Sequence, residues 1–123
     1  MAERTAIQSF DWRTLKVVQR EAPDSPWTAG LHVRNFGGSI PRMVKAAGGA
    51  VWSPYYGEVS RENVKEAQAL GLKVVVWTVN EPADMRRMIE FGVDGIISDY
   101  PDRLRQIAGE AGIALPRPTP VAP

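Results

Sequence analysis

The sequence predicts an α/β fold of parallel strands with helices between them. Three observations carry this. Four times along the 123 residues, a short apolar run is followed by a polar connection and then by an amphipathic stretch. One run, Val74-Val75-Val76-Trp77-Thr78-Val79, is largely β-branched, the pattern of a strand covered on both faces, which favours a parallel sheet. From Val74 onward the connections are short, as in compact α/β domains. Strand–helix–strand units of this kind join parallel strands by right-handed crossovers.

The first unit is a strand at 5–10 and a helix from Trp12, with Trp12, Leu15, Val18 and Val17 at helical spacing. Asp11 fits its N-cap, and Pro23 and Pro26 end it. Residues 27–39 read poorly. Leu31-His32-Val33 fits a short strand, 35–39 a glycine-bearing turn, and 41–47 a short helix stopped by Gly48-Gly49. The second unit is a strand at 50–53 and a helix from Ser60 to Leu70. Ser60 is its cap, Val64, Ala67 and Leu70 its stripe, and Gly71 its stop. The third unit is the strand at 73–79, then a helix opened by Asn80-Glu81-Pro82 with Met85, Met88 and Ile89 inward and Gly92 closing it. The fourth is a strand at 93–98 and a helix from Pro101 to about Ala111, with Leu104, Ile107 and Ala108 as its stripe. Residues 1–112 thus form the folded part. Residues 113–123, with four prolines, form a disordered or polyproline-like tail.

Composition excludes several classes of function. Fifteen basic residues stand against fourteen acidic ones, too even a balance for a nucleic-acid binder or polybasic membrane anchor. No run of about 18 apolar residues exists to span a membrane, and the first residues lack the apolar stretch of a secretory leader. A cytoplasmic location is the expectation. With no Cys there is neither a disulfide framework nor a thiolate metal site. The single histidine, His32, excludes any mechanism that draws two histidines from this chain.

In parallel α/β folds, ligands sit beyond the carboxyl ends of the strands. Those ends carry Ser9, Phe10 and Asp11; Ser53, Tyr55 and Tyr56; Trp77, Thr78 and Asn80; and Ser98, Asp99 and Tyr100. This polar and aromatic set suits a small-molecule site. Asp11, Asn80 and Asp99 also suit helix caps, since each stands just before a helix. Phe10 and Trp77 suit a core, although a buried indole N–H would need an acceptor. His32 reads as a surface residue. Asp11, Glu81 and Asp99 have no fixed ligand spacing, and no glycine-rich phosphate loop follows a strand.

Two motifs, Trp77-Thr78-Val79-Asn80 and Gly92-Val93-Asp94-Gly95-Ile96-Ile97-Ser98-Asp99-Tyr100-Pro101, together resemble the C-terminal part of the glycerophosphodiester phosphodiesterases. Gln8-Ser9-Phe10-Asp11 is similar to an earlier strand of that family, and residues 64–73 to the helix and turn before its tryptophan strand. The resemblance spans about residues 5–105. It implies a partial (β/α)₈ barrel of the TIM type, about its last four βα units, where a whole barrel takes about 250 residues. It also implies hydrolysis of a glycerophosphodiester to an alcohol and glycerol 3-phosphate, in lipid metabolism, with a divalent cation, Mg or Ca.

The resemblance assigns Ser9, Phe10 and Trp77 to the substrate-side wall. It assigns no catalytic or metal residue to this chain. The family's His-Arg motif, its second histidine and its metal carboxylates have no counterpart here, and His32 matches neither histidine. A phosphodiester hydrolase needs a cation to offset phosphoryl charge, a base for the nucleophile and an acid for the leaving alkoxide. The chain alone is therefore expected to be inactive, a fragment of a longer enzyme. The alternative is a non-catalytic half-barrel that binds a ligand or oligomerises. Four parallel strands without closure leave two unpaired edges, which predicts self-association or pairing with a missing N-terminal half.

Overall fold

The computed structural model describes residues 7–23, 27–30 and 38–117. Their order is β1 (Ile7–Ser9), α1 (Trp12–Glu21), β2 (Trp27–Gly30), α2 (Ile40–Ala46), β3 (Val51–Ser53), α3 (Arg61–Ala69), β4 (Lys73–Val76), α4 (Pro82–Phe91), β5 (Gly95–Ile96) and α5 (Pro101–Glu110). A 3₁₀ turn, Tyr56–Glu58, leads into α3.

The five strands form one sheet in the order β1-β2-β3-β4-β5, and every pair is parallel. Ile7 lies opposite Trp27, Thr28 opposite Val51, Trp52 opposite Val74, and Val76 opposite Ile96. The order never reverses, so the sheet has no switch point of the doubly wound kind.

Among the described residues, five strands stand where the sequence predicts four. The added one, β2, occupies Trp27–Gly30. The sequence placed its candidate strand a few residues later, at 31–33, and those residues lie outside the described ones. Strong signals were missing because Trp27-Thr28-Ala29-Gly30 neither alternates nor forms a β-branched run. Strands β4 and β5 are shorter than the apolar runs that contain them, ending at Val76 and Ile96.

Among the described residues, three α-helices open on a side-chain cap. Asp11 accepts from the Arg13 N–H, Ser39 from the Arg42 N–H, and Ser60 forms a reciprocal capping box with Asn63. Gly92 ends α4 in the left-handed conformation (φ 78°), which costs glycine nothing. Past Gly112, residues 113–117 run back along α5. Arg105 donates to the Pro116 carbonyl at 2.6 Å, and Leu115 reaches Gly109.

One core holds the molecule together. Trp52, Val74 and Val76 point from one face of the sheet into Leu15, Val44, Val64, Ala67, Met85, Met88 and Ile107 of the helices, all of them buried. The other face is barer: Gln8 is exposed, and Val51 and Val75 are half-buried. Thus β4 is not covered equally on both faces, as its β-branched run predicts. Among the described residues the helices cover one face. Val17, a weaker member of the predicted α1 stripe, faces solvent.

Asp94 ties β5 to β4 at their amino ends. Its carboxylate accepts from the Val74 N–H (2.9 Å), Lys73 (2.9 Å) and Gln68 (3.2 Å). Burial pushes its pKa up, but those three bonds outweigh burial and hold it below the usual carboxylate range.

Candidate functional site

The carboxyl ends of the strands bring together an aromatic wall. The Phe10 ring, at the end of β1, meets Trp77, past β4, edge-on with centroids 5.8 Å apart. Tyr55, past β3, packs against the other neighbour of this set. Its centroid is 5.9 Å from Trp77 and 4.8 Å from Tyr56. Inclined and edge-on pairs of this kind are favoured by the ring quadrupole.

Trp77 is held in place from β3. Its backbone N–H donates to the Pro54 carbonyl (3.3 Å) and its carbonyl accepts from the Tyr56 N–H (3.1 Å). Its indole Nε1 donates to the Ser53 carbonyl (3.0 Å), which supplies the acceptor that the sequence required. Phe10, by contrast, is 60% exposed, so it is no core residue. Ser9 turns inward on its own loop: its Oγ accepts from the Asp11 N–H (3.1 Å). Gln8 Nε2 donates to the buried Ser53 hydroxyl (3.4 Å), joining the β1 and β3 ends.

Asp11 faces Arg13. The guanidinium donates to both carboxylate oxygens, at 3.0 Å and 2.7 Å, and this, with the Arg13 backbone N–H, lowers the Asp11 pKa to about 2. A hydrogen bond with Tyr55, with Asp84 nearby, raises the Tyr56 phenol above its usual value.

Asn80 and Asp99 do not cap helices, as their positions suggest. The N-cap positions of α4 and α5 fall to Glu81 and Tyr100, neither of which makes a side-chain capping bond. Instead the two residues bind each other across the β4 and β5 ends. Asn80 Nδ2 donates to Asp99 (2.8 Å), while its Oδ1 accepts from the Asp99 N–H (3.0 Å) and the Ser98 hydroxyl (3.2 Å). Arg103 closes the group by donating to the Asn80 carbonyl (3.0 Å), its guanidinium lying over the Tyr100 ring.

The sequence marked Ser9, Phe10 and Trp77 as a wall. The structure places them at one end of the sheet and puts Phe10 and Trp77 in contact. Tyr55, which the sequence placed among the strand-end residues but not in the wall, joins them through its contact with Trp77. His32 lies outside the described residues. Among the described residues, no three His, Asp or Glu side chains come together to hold an ion. Asp11 is occupied by Arg13, and Asp99 by Asn80.

An aromatic wall and a locked polar turn at the carboxyl ends of parallel strands define an α/β domain of the class that takes small ligands at that end. Comparison with known proteins narrows the class. The model of the glycerophosphoryl diester phosphodiesterase family matches residues 1–103, and the chain belongs to that family. A glycerophosphodiester phosphodiesterase of Caldanaerobacter subterraneus is 30% identical over 122 residues, covering 89% of this chain and 44% of its own length. One from Bacillus subtilis is 30% identical over 105 residues, covering 82% of this chain and 35% of its own. A solved structure from Silicibacter pomeroyi DSS-3, provisionally described as a glycerophosphoryl diester phosphodiesterase, superposes with a TM-score of 0.89. It is 43% identical, and the match covers 93% of this chain and 41% of that one. The chain spans less than half the length of these relatives.

Proposed function

We propose that this chain forms the later units of a glycerophosphodiester phosphodiesterase barrel and supplies the wall against which the substrate lies. The observation that carries the reading is the contact of Phe10 with Trp77 at the carboxyl ends of β1 and β4. Ser9, Phe10 and Trp77 are the substrate-binding residues on this reading, with Tyr55 extending the wall. The substrate is a small glycerophosphodiester, and the products an alcohol and glycerol 3-phosphate, which places the reaction in lipid metabolism.

The unreversed strand order supports a (β/α)₈ barrel over a doubly wound sheet. Five parallel strands are five of its eight, one more than the sequence predicts. The acid, the base and the cation ligands of the reaction belong to the remaining units. Losing a general acid or base costs a factor of about 10² to 10⁴ each, so the chain by itself has no measurable turnover. The test is cation-dependent release of glycerol 3-phosphate from a glycerophosphodiester by the purified chain. No release is expected, and release that survives removal of host enzymes overturns the inactivity.

A second reading, a non-catalytic module that self-associates or pairs with the remaining units, rests on the sheet itself. Among the described residues, β1 pairs only with β2 and β5 only with β4. Edges and a bare face of this kind seek partners. Light scattering after size-exclusion chromatography checks it: a mass above the 13.5 kDa of one chain is expected, and a stable monomer counts against it.

A further inference from the structure

Ser53 is fully buried, yet it stands on the barer face of the sheet. Trp52 points into the helices, so its neighbour Ser53 points the other way. The register sets Gln8, Thr28 and Val51 in one row on that face, and Ser53 follows two residues past Val51. A buried hydroxyl needs a partner, and Gln8 Nε2 supplies it at 3.4 Å.

That bond joins strands that are not neighbours, since β2 runs between β1 and β3. Adjacent strands lie about 4.8 Å apart, so the two side chains together span roughly 10 Å of sheet. The β2 residue opposite Ser53 is Gly30, which has no side chain to stand in the way. Strands β1 and β3 have three residues each, so few ladder bonds fix their carboxyl ends. The same serine also holds the wall: its carbonyl accepts from the Trp77 indole at 3.0 Å. Trp77 meets Phe10 edge-on at 5.8 Å, and Phe10 follows Gln8 by two residues. The contacts close a circuit from Gln8 to Ser53, to Trp77, to Phe10, and back along the chain to Gln8. Phe10 and Trp77 come from β1 and β4, with two strands between them. A closed circuit fixes the distance between two such rings, which an open chain of contacts leaves free to drift.

We infer that Gln8 is a positioning residue, which acts through Ser53 to hold the Trp77 indole against Phe10. Its purpose rests on the reading of Phe10 and Trp77 as the substrate wall, but the circuit itself is measurable without ligand. The experiment follows the labelled chain by NMR, reading deuterium exchange at the Trp77 indole N–H and the ring-current shifts of the Phe10 ring protons. Gln8→Leu keeps the bulk and removes the donor. Exchange at Trp77 should quicken by up to about tenfold, the worth of one such bond, and the Phe10 shifts should move. Gln8→Glu should restore both readouts, because the Ser53 hydroxyl can donate to the new carboxylate. Ser53→Ala cuts the same link from its other end, so Gln8→Leu added to it should change nothing further. The Trp12 and Trp52 indoles should exchange as before in every variant. An unmoved Trp77 in Gln8→Leu, additive effects in the double variant, or equal quickening at all three indoles overturns the role of Gln8. Titration of the unaltered chain with glycerol 3-phosphate, read at the Trp77 indole, tests the wall separately: a peak that stays in place removes the wall and leaves the circuit standing.

Discussion

Asp11 shows how one residue can be read correctly in one role and incompletely in another. Its position before Trp12 was sufficient to predict a cap, because a carboxylate there meets an orphan N–H. Nothing in the sequence showed that Arg13 would bend back to fill the carboxylate's other oxygen. With its pKa lowered to about 2 from 3.8, the interaction is complete above pH 3.8 and is lost as pH falls towards 2. A carboxylate-detected NMR titration should place the Asp11 midpoint near 2, and Arg13→Ala should return it towards 3.8. Asn80 and Asp99 teach the opposite lesson. Each alone resembles a cap, and 18 residues separate them, so their mutual bonding depends on a strand pairing that no local pattern encodes.

Elements were legible where periodicity and caps agreed. Helices α3, α4 and α5 fall where Ser60, Pro82 and Pro101 place them, because those signals act on the backbone within one turn. Ser60→Ala removes half of a capping box and should cost about 0.5 to 2 kcal/mol, measured by urea unfolding. Strand β2 was not legible: four residues without alternation carry too little signal, and its pairing with β1 and β3 arises only in the sheet. The lock between β4 and β5 is likewise tertiary. Asp94→Asn should destabilise the chain by about 1 to 3 kcal/mol, since Asp94 accepts three bonds and its side chain is only 22% exposed. Because the folded pKa lies below the ordinary 3.8, that advantage is present above 3.8 and fades as pH falls below it, so the two proteins should converge in acid.

At the scale of the molecule, the bare face of the sheet and its two edges matter more than any single contact. On the barrel reading, the five strands among the described residues require three more, and a second copy of them would bring the total to ten. Head-to-tail pairing of two copies therefore cannot close an eight-stranded barrel. The expected self-association should give open or heterogeneous species, seen as a broad mass distribution in light scattering, and a single sharp dimer would contradict it.

The strands begin at residues 7, 27, 51, 73 and 95, an almost constant stride, and each pairs with the next. Such a chain closes only short loops as it folds, so its assembly can proceed one unit at a time without waiting for distant ends to meet. The same modular stride allows a gene to gain or shed a whole unit at a boundary between units while leaving the remaining pairings in register.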